Sequence, residues 1–171
     1  MLETKRLILR ELTYDDFESW YQILSDEETM QHYPAPFDEA KVRRWIQWNI
    51  DNYATYGFGL WAVILKETGE FIGDCGMTMQ NIHGQMLPEI GYHIHKKHQR
   101  KGYAAEGAAE CMRFAFEELE LPKVYSYMKY TNEASYGVAL KNGMQFVEEY
   151  SDPINTITRV YAIDRDSWQK R

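Results

Sequence analysis

One segment near the middle of the chain constrains the fold more than any other: a strand that runs into a short basic turn and then opens a helix. Glu89-Ile90-Gly91-Tyr92-His93-Ile94-His95 has strand character, Lys96 to Lys101 is the turn, and Tyr103-Ala104-Ala105-Glu106 follows Gly102 as a helix start. Such a junction favours phosphate, because the first N–H groups of a helix lack partners and the aligned peptide dipoles place positive potential there. Arg100 and Lys101 add charge, Gly102 allows a positive φ, and the small side chains of Ala104 and Ala105 leave room for a diphosphate. The same pattern also describes an ordinary solvated connection between strand and helix. Neither G-x-x-x-x-G-K-S/T nor G-x-G-x-x-G occurs, which removes the two commonest nucleotide loops and leaves Q-x-x-G-x-A from Gln99 to Ala104.

Around this junction the periodicity predicts an α+β (mixed α/β) order of elements. Leu7 and Leu9 alternate with Ile8 and Arg10 as a first strand, and Thr13 with Asp16 caps a helix to about Leu24 whose inner face is Phe17, Trp20 and Leu24. Pro34 and Pro36 break the chain before a second helix from Asp38, with Val42, Trp45, Ile46 and Ile50 at helical spacing. Leu60 to Leu65 and Phe71 to Met79 form a hairpin across Lys66 to Glu70, and Pro88 to His95 is the next strand. Ala105, Ala109, Met112, Phe116 and Leu119 mark the inner stripe of the helix after the turn, which ends before Pro122. A strand from Val124 to Tyr130, a short helix from Ser135 to Lys141 closed by Gly143, and strands at Phe146 and Thr158 to Ile163 finish the order.

A chain of 171 residues suits one domain, residues 1–171, that buries about two-thirds of its unfolded surface. The first residues carry no charged-then-apolar leader and no apolar run spans a bilayer, so a cytoplasmic address without membrane attachment is expected. Cys75 and Cys111 make no C-x-x-C pair and read as small buried hydrophobes. A net charge of −7 disfavours nucleic acid, whose binding needs clustered Lys and Arg, and suits a cationic partner.

Q-x-x-G-x-A with its surroundings resembles the GNAT superfamily of acyl-CoA-dependent N-acetyltransferases, whose pyrophosphate loop is Q/R-x-x-G-x-G/A. Thr4-Lys5-Arg6-Leu7-Ile8-Leu9-Arg10, Glu89-Ile90-Gly91-Tyr92, Asn132-Glu133-Ala134-Ser135 and Lys141-Asn142-Gly143-Met144-Gln145-Phe146 are similar to the branch holding the ribosomal-protein N-terminal (alanine/serine) acetyltransferases. Together they cover essentially the whole chain. The resemblance implies a mixed, mostly antiparallel sheet flanked by helices, in which the strand before the loop and the strand after its helix splay apart around the pantetheine of acetyl-CoA. On that mapping the pantetheine follows Tyr92, His93 and Ile94, and the pyrophosphate rests on Gln99, Arg100, Lys101, Gly102, Tyr103, Ala104 and Ala105. Asn132 contacts the pantetheine, and Lys141 is a candidate for the CoA phosphates or a solvated helix lysine. The family often places a Tyr acid at the position that is Ala139 here; the N-terminal acetyltransferase branch instead has a Ser of N-x-x-S near the thioester sulfur, which maps to Ser135.

Attack of an amine on a thioester needs a neutral nucleophile, a donor for the developing oxyanion and a proton for the departing thiolate. Glu89 is the candidate base, directly or through water: in a regular strand it shares a face with His93, while Ile90, Tyr92 and Ile94 occupy the other. A surface strand carboxylate is the competing reading. A lysine-like amine of pKa ~10.4 is rarely neutral at pH 7, whereas an α-amine near ~8 more often is, so the need for a base depends on the acceptor. A backbone N–H freed by a bulge near Ile94 would meet the oxyanion, and Ser135 would serve the thiolate, with a helix N-cap as its structural alternative.

His93-Ile94-His95 puts two imidazoles on one strand face, but Lys96 and Lys97 repel a cation and no acidic or cysteine cluster accompanies them, so no metal is expected. The ring of His93 reads instead as an acceptor contact or auxiliary base. A peptide N-terminus, a polyamine and an antibiotic-like amine all remain open as acceptors; the acceptor-facing segments, Met30 to Phe37 and Asn81 to Leu87, choose none of them. The missing Tyr acid keeps a second class open, a CoA-binding sensor or interaction protein without efficient catalysis. Exposed sheet edges suit a monomer or a homodimer.

Overall fold

The alternation at the start of the chain becomes a strand pair, β1 (Leu2–Glu3) and β2 (Leu7–Glu11), in which Leu7 and Leu9 are fully buried. These belong to a computed structural model that describes residues 1–171. Thr13 and Asp16 form a reciprocal capping box before α1 (Phe17–Leu24). Asp38 caps α2 (Glu39–Tyr56) by accepting from Lys41 N–H at 2.8 Å, and Gly57 ends the helix at φ +78°. The strands β3 (Leu60–Leu65), β4 (Phe71–Ile82) and β5 (Gln85–Ile94) then lead into α3 (Tyr103–Arg113). Strand β6 (Lys123–Lys129), helix α4 (Glu133–Lys141), strands β7 (Gln145–Asp152) and β8 (Thr156–Asp164), and the short α5 (Arg165–Gln169) complete the chain.

All eight strands join one sheet in the order β1-β2-β3-β4-β5-β6-β8-β7. Every pairing is antiparallel except β5 with β6, which is parallel and registered only at Glu89–Tyr125. Along β3 the side chains sort by parity, as a strand between two layers requires: Trp61, Val63 and Leu65 join one core, Leu60 and Ala62 the other. The first core packs α3, through Ala108 and Met112, and Phe116 of the turn that follows it, on one face. The second packs Trp20 and Leu24 of α1 and Val42 and Ile46 of α2 on the opposite face. The expected mixed, mostly antiparallel sheet flanked by helices is therefore present. No helix is long and apolar enough to cross a membrane.

Several local expectations need correction. β1 is too short to leave a periodic signal. On α3 the inward stripe runs through Ala105, Ala108 and Met112, and Ala109 is exposed, because one residue of helix rotates the side chain by ~100°. The helix also does not run regularly to Leu119: after Arg113 it widens, and Leu119 N–H bonds to Phe114 O at 3.0 Å, five residues back. Asn81 to Leu87 forms the tip of the β4–β5 hairpin, where His83 stacks on Tyr150 with ring centroids 4.4 Å apart and Asn81 lines the cavity described below. Ser135 does not start α4, since Asn132 is the N-cap and its Oδ1 accepts from Ser135 N–H at 3.2 Å.

Candidate active site

Gly102, at φ +83°, is the N-cap of α3, and no side chain caps the helix. The first bond into the helix is Glu106 N–H to Gly102 O at 3.0 Å, which leaves the N–H groups of Tyr103, Ala104 and Ala105 without a partner within the helix. Small side chains follow, so a diphosphate fits this turn on observed geometry. The turn is held by side chains from distant segments. Arg6 donates Nη1 to Lys101 O at 3.0 Å and Nε to Glu106 Oε1 at 3.0 Å, and its guanidinium lies 4.4 Å over the Tyr103 ring. Thr4 Oγ1 donates to Glu106 Oε2 at 2.8 Å, and Gln99 Nε2 folds back onto Ile94 O at 2.8 Å. Arg100 sits at φ +63°, an uncommon angle for a side-chain-bearing residue. Lys141 is exposed at the end of α4, next to Asn142, whose Nδ2 donates to Ala105 O at 3.1 Å.

Beyond Glu89–Tyr125 the strands β5 and β6 diverge, and Ser126 Oγ donates to Ile90 O at 2.9 Å where they part. The carbonyls of Ile90 and Ile94 both point into the opening, accepting from Ser126 and Gln99, so by strand alternation the peptide groups of Tyr92 and Ile94 also face it. Their N–H groups meet no ladder partner from β6. The expected bulge near Ile94 is absent: the β4–β5 register runs unbroken from Gly73–Ile94 to Ile82–Gln85. Divergence of the neighbouring strand, rather than an inserted residue, exposes these donors.

The opening continues into a cavity of about 390 Å³ lined by Glu89, Tyr92, His93, Tyr127, Asn132 and Ser135, among others. Glu89 is only 7% exposed, so the surface-carboxylate reading fails. It accepts from Tyr127 N–H at 3.3 Å, and Gly91 makes its room: a Cβ there would lie 3.0 Å from Glu89 Oε1. Burial pushes its carboxyl well above the ordinary glutamate range, opposed by the hydrogen bond from Tyr127 N–H. Ser135 approaches from the other face of the sheet. Its Oγ is 3.3 Å from Tyr92 Oη, which donates to Ser135 O at 2.8 Å. Burial pushes the Tyr92 phenol up, which suits it to donating a hydrogen bond rather than a proton. Ala139 is packed in the core, and Tyr136 stacks on Tyr161 with centroids 6.1 Å apart.

His93 and Glu89 share the α1/α2 face, as strand alternation implies, and Ile90 sits in the α3 core. Opposite His93 in register stands Asp74, fully buried. His93 Nδ1 lies 3.0 Å from each Asp74 carboxylate oxygen, and Trp20 Nε1 donates to Asp74 Oδ2 at 2.8 Å. The rings of Tyr33 and Trp45 flank the imidazole at 5.1 and 5.8 Å. Its Nε2 is buried and has no partner. His95 is separately engaged, accepting from Lys97 N–H at 3.3 Å, and no three His, Cys, Asp or Glu side chains converge as metal ligands. Sequence reasoning missed Asp74, Trp20 and Arg6 as parts of the site. A lone carboxylate inside the apolar run Phe71 to Met79 was the available signal for Asp74.

A sheet split beside an uncapped helix start, with polar groups collected in the split, is an arrangement suited to an acyl-CoA-dependent acyltransferase. The Acetyltransferase (GNAT) domain matches residues 6–145, and the chain belongs to this family, which uses acetyl-CoA; it is an N-acetyltransferase. It is 35% identical over 162 residues to the protein YkkB of Bacillus subtilis (strain 168), across 92% of this chain and 94% of that one. The acetyltransferase of Agrobacterium tumefaciens str. C58 has a TM-score of 0.80 at 31% identity, covering 95% of this chain and 92% of its own. RimL, a ribosomal L7/L12 alpha-N-protein acetyltransferase solved with coenzyme A, has a TM-score of 0.80 at 16% identity over 96% and 97% of the two chains, a likeness of fold.

Proposed function

We propose that the chain acetylates a primary amine by direct attack on acetyl-CoA in a ternary complex. The observation that carries this reading is Glu89: a buried carboxylate with no cationic partner, set where β5 and β6 part. Burying such a group is costly, and a groove that merely sensed CoA would have no use for it. Pantetheine lies along Tyr92, His93 and Ile94, with Asn132 beside it, and the pyrophosphate rests on Gln99 to Ala105. Glu89, directly or through water, removes a proton from the incoming ammonium. The amine lone pair then attacks the thioester carbon, and the oxyanion is met by the N–H of Tyr92 or Ile94. Collapse breaks the C–S bond; Ser135 hydrogen-bonds the departing thiolate, or relays to it one of the two protons lost by the ammonium and regains its own, so that CoA leaves as the thiol.

The cavity lining pairs the acidic Glu89 and Asp152 with the basic Lys129. That balance favours a singly charged amine, such as a peptide N-terminus, over a polyamine. The test is thiol release from acetyl-CoA across peptides with free Ala, Ser or Met N-termini, spermidine and an aminoglycoside. Release with one acceptor class, lost in Glu89→Gln and reduced in Ser135→Ala, supports the reading. Silence with every amine, while acetyl-CoA still raises the melting temperature, favours the sensor.

A further inference from the structure

The orphaned nitrogen of His93 has a use the scheme above leaves open. Two protons leave the nitrogen during acetylation of an ammonium: one before attack and one as the C–N bond forms. One of them is matched by the proton that the thiolate takes up, and the other goes to solvent. We propose that His93, held by Asp74 and Trp20, accepts the second proton at Nε2, while Glu89 handles the first; this rests on the transferase reading above.

Three observations place His93 at the reacting carbon. The N–H donors that face the opening belong to Tyr92 and Ile94, the residues on either side of it. Its side chain, by alternation, projects onto the α1/α2 face, where Tyr33, Trp45 and Glu89 line the cavity with it. Glu89 is four residues back along β5, roughly 13 Å between Cα atoms at strand rise, so an amine touching Nε2 reaches Glu89 through water.

The orientation of the ring follows from Asp74. A carboxylate that already takes the Trp20 indole N–H accepts again from His93, so the imidazole N–H is on Nδ1 and the lone pair is on Nε2. Nε2 is buried, with its residue nine-tenths buried, and has no protein partner, so an amine that displaces the Tyr33 or Trp45 ring from it meets an unused lone pair. The titratable groups facing the ring are Asp74 from β4 and Tyr33 from the α1–α2 connection, with Glu89 further along the same strand face; Trp20 and Trp45 carry no charge.

The experiment compares wild type, Glu89→Gln, His93→Gln and Asp74→Asn for thiol release between pH 7 and 9.5, using the best amine from the peptide, spermidine and aminoglycoside panel. Glu89→Gln should recover as pH rises and the amine becomes neutral without help. His93→Gln should stay on the order of 10²-fold slow throughout, because the second proton still has to leave. Asp74→Asn should lose activity to an intermediate degree. An unchanged acetyl-CoA melting shift in each variant shows that fold and groove are intact. In parallel, the imidazole ¹⁵N spectrum of the free protein should show the His93 proton on Nδ1, and this readout needs no turnover. His93→Gln within about threefold of wild type at every pH, or a proton on Nε2 in the free protein, overturns the proposal. If wild type acetylates none of the amines, the transferase reading fails on its own terms and the spectrum decides the orientation of His93.

Discussion

The two ends of the site are built by different means. At the turn into α3 the groups proposed to bind are backbone N–H donors, and the side chains around them, Arg6, Thr4 and Glu106, hold the main chain in place. At the cavity the backbone supplies at most two donors, and the proposed chemistry rests on side chains brought from α1, β4, β5 and α4: Trp20, Asp74, Glu89, His93 and Ser135. A site made of backbone tolerates side-chain change and recognises a common group such as a diphosphate. A site made of side chains is specific and fragile. Cofactor binding and acetyl transfer should therefore separate under mutation.

The sharpest way to break that separation is Glu89→Gln. Turnover at pH 7 should fall about 10²-fold or more with a lysine-like amine, and less with an α-amine, while acetyl-CoA affinity changes little. Steady-state kinetics beside calorimetric titration of acetyl-CoA measures both. At the other end, Gly102→Val should do the opposite. A β-branched residue at φ +83° costs ~1–2 kcal/mol and brings its Cβ to 3.3 Å from Arg6 Nη2, which holds the turn, so the KM for acetyl-CoA should rise about tenfold with kcat retained at saturation. Arg6→Ala should raise the same KM only a few-fold. Its ion pair with Glu106 is partly exposed, so the loss of stability should stay below about 1 kcal/mol in urea unfolding.

The smallest effect is on stability against pH. The Glu89 carboxyl titrates higher in the folded chain than in the unfolded one, so the native state holds the extra proton. The stability linked to that proton is complete below the ordinary glutamate range and is lost as pH rises through the raised value. Melting scans should show wild type losing stability relative to Glu89→Gln across that window; parallel curves would contradict the shift.

What was legible in the sequence follows the same division. The form of the turn could be read because it needs only local chemistry: a glycine for positive φ, two small residues and a helix start, all within Gln99 to Ala105. The strands with clean alternation, such as Leu7 to Arg10, and the capped helices were legible for the same local reason. The face shared by Glu89 and His93 followed from the period of a strand. The partners on that face did not. Asp74 and His93 are 19 residues apart in sequence and meet only through the β4–β5 register, and Trp20 arrives from α1, 54 residues before Asp74. The parting of β5 and β6 was also invisible locally, because it depends on which strands pair and where they stop. That is why a bulge near Ile94 was expected where a divergence exists.

The most direct test is a crystal structure of the protein with acetyl-CoA. Pyrophosphate oxygens should lie within hydrogen-bond distance of the N–H groups of Tyr103 to Ala105, with the thioester carbonyl on the N–H of Tyr92 or Ile94 and its carbon facing the cavity that holds Glu89 and His93. Acetyl-CoA bound with its pyrophosphate away from α3, or with its thioester outside the opening between β5 and β6, would contradict it.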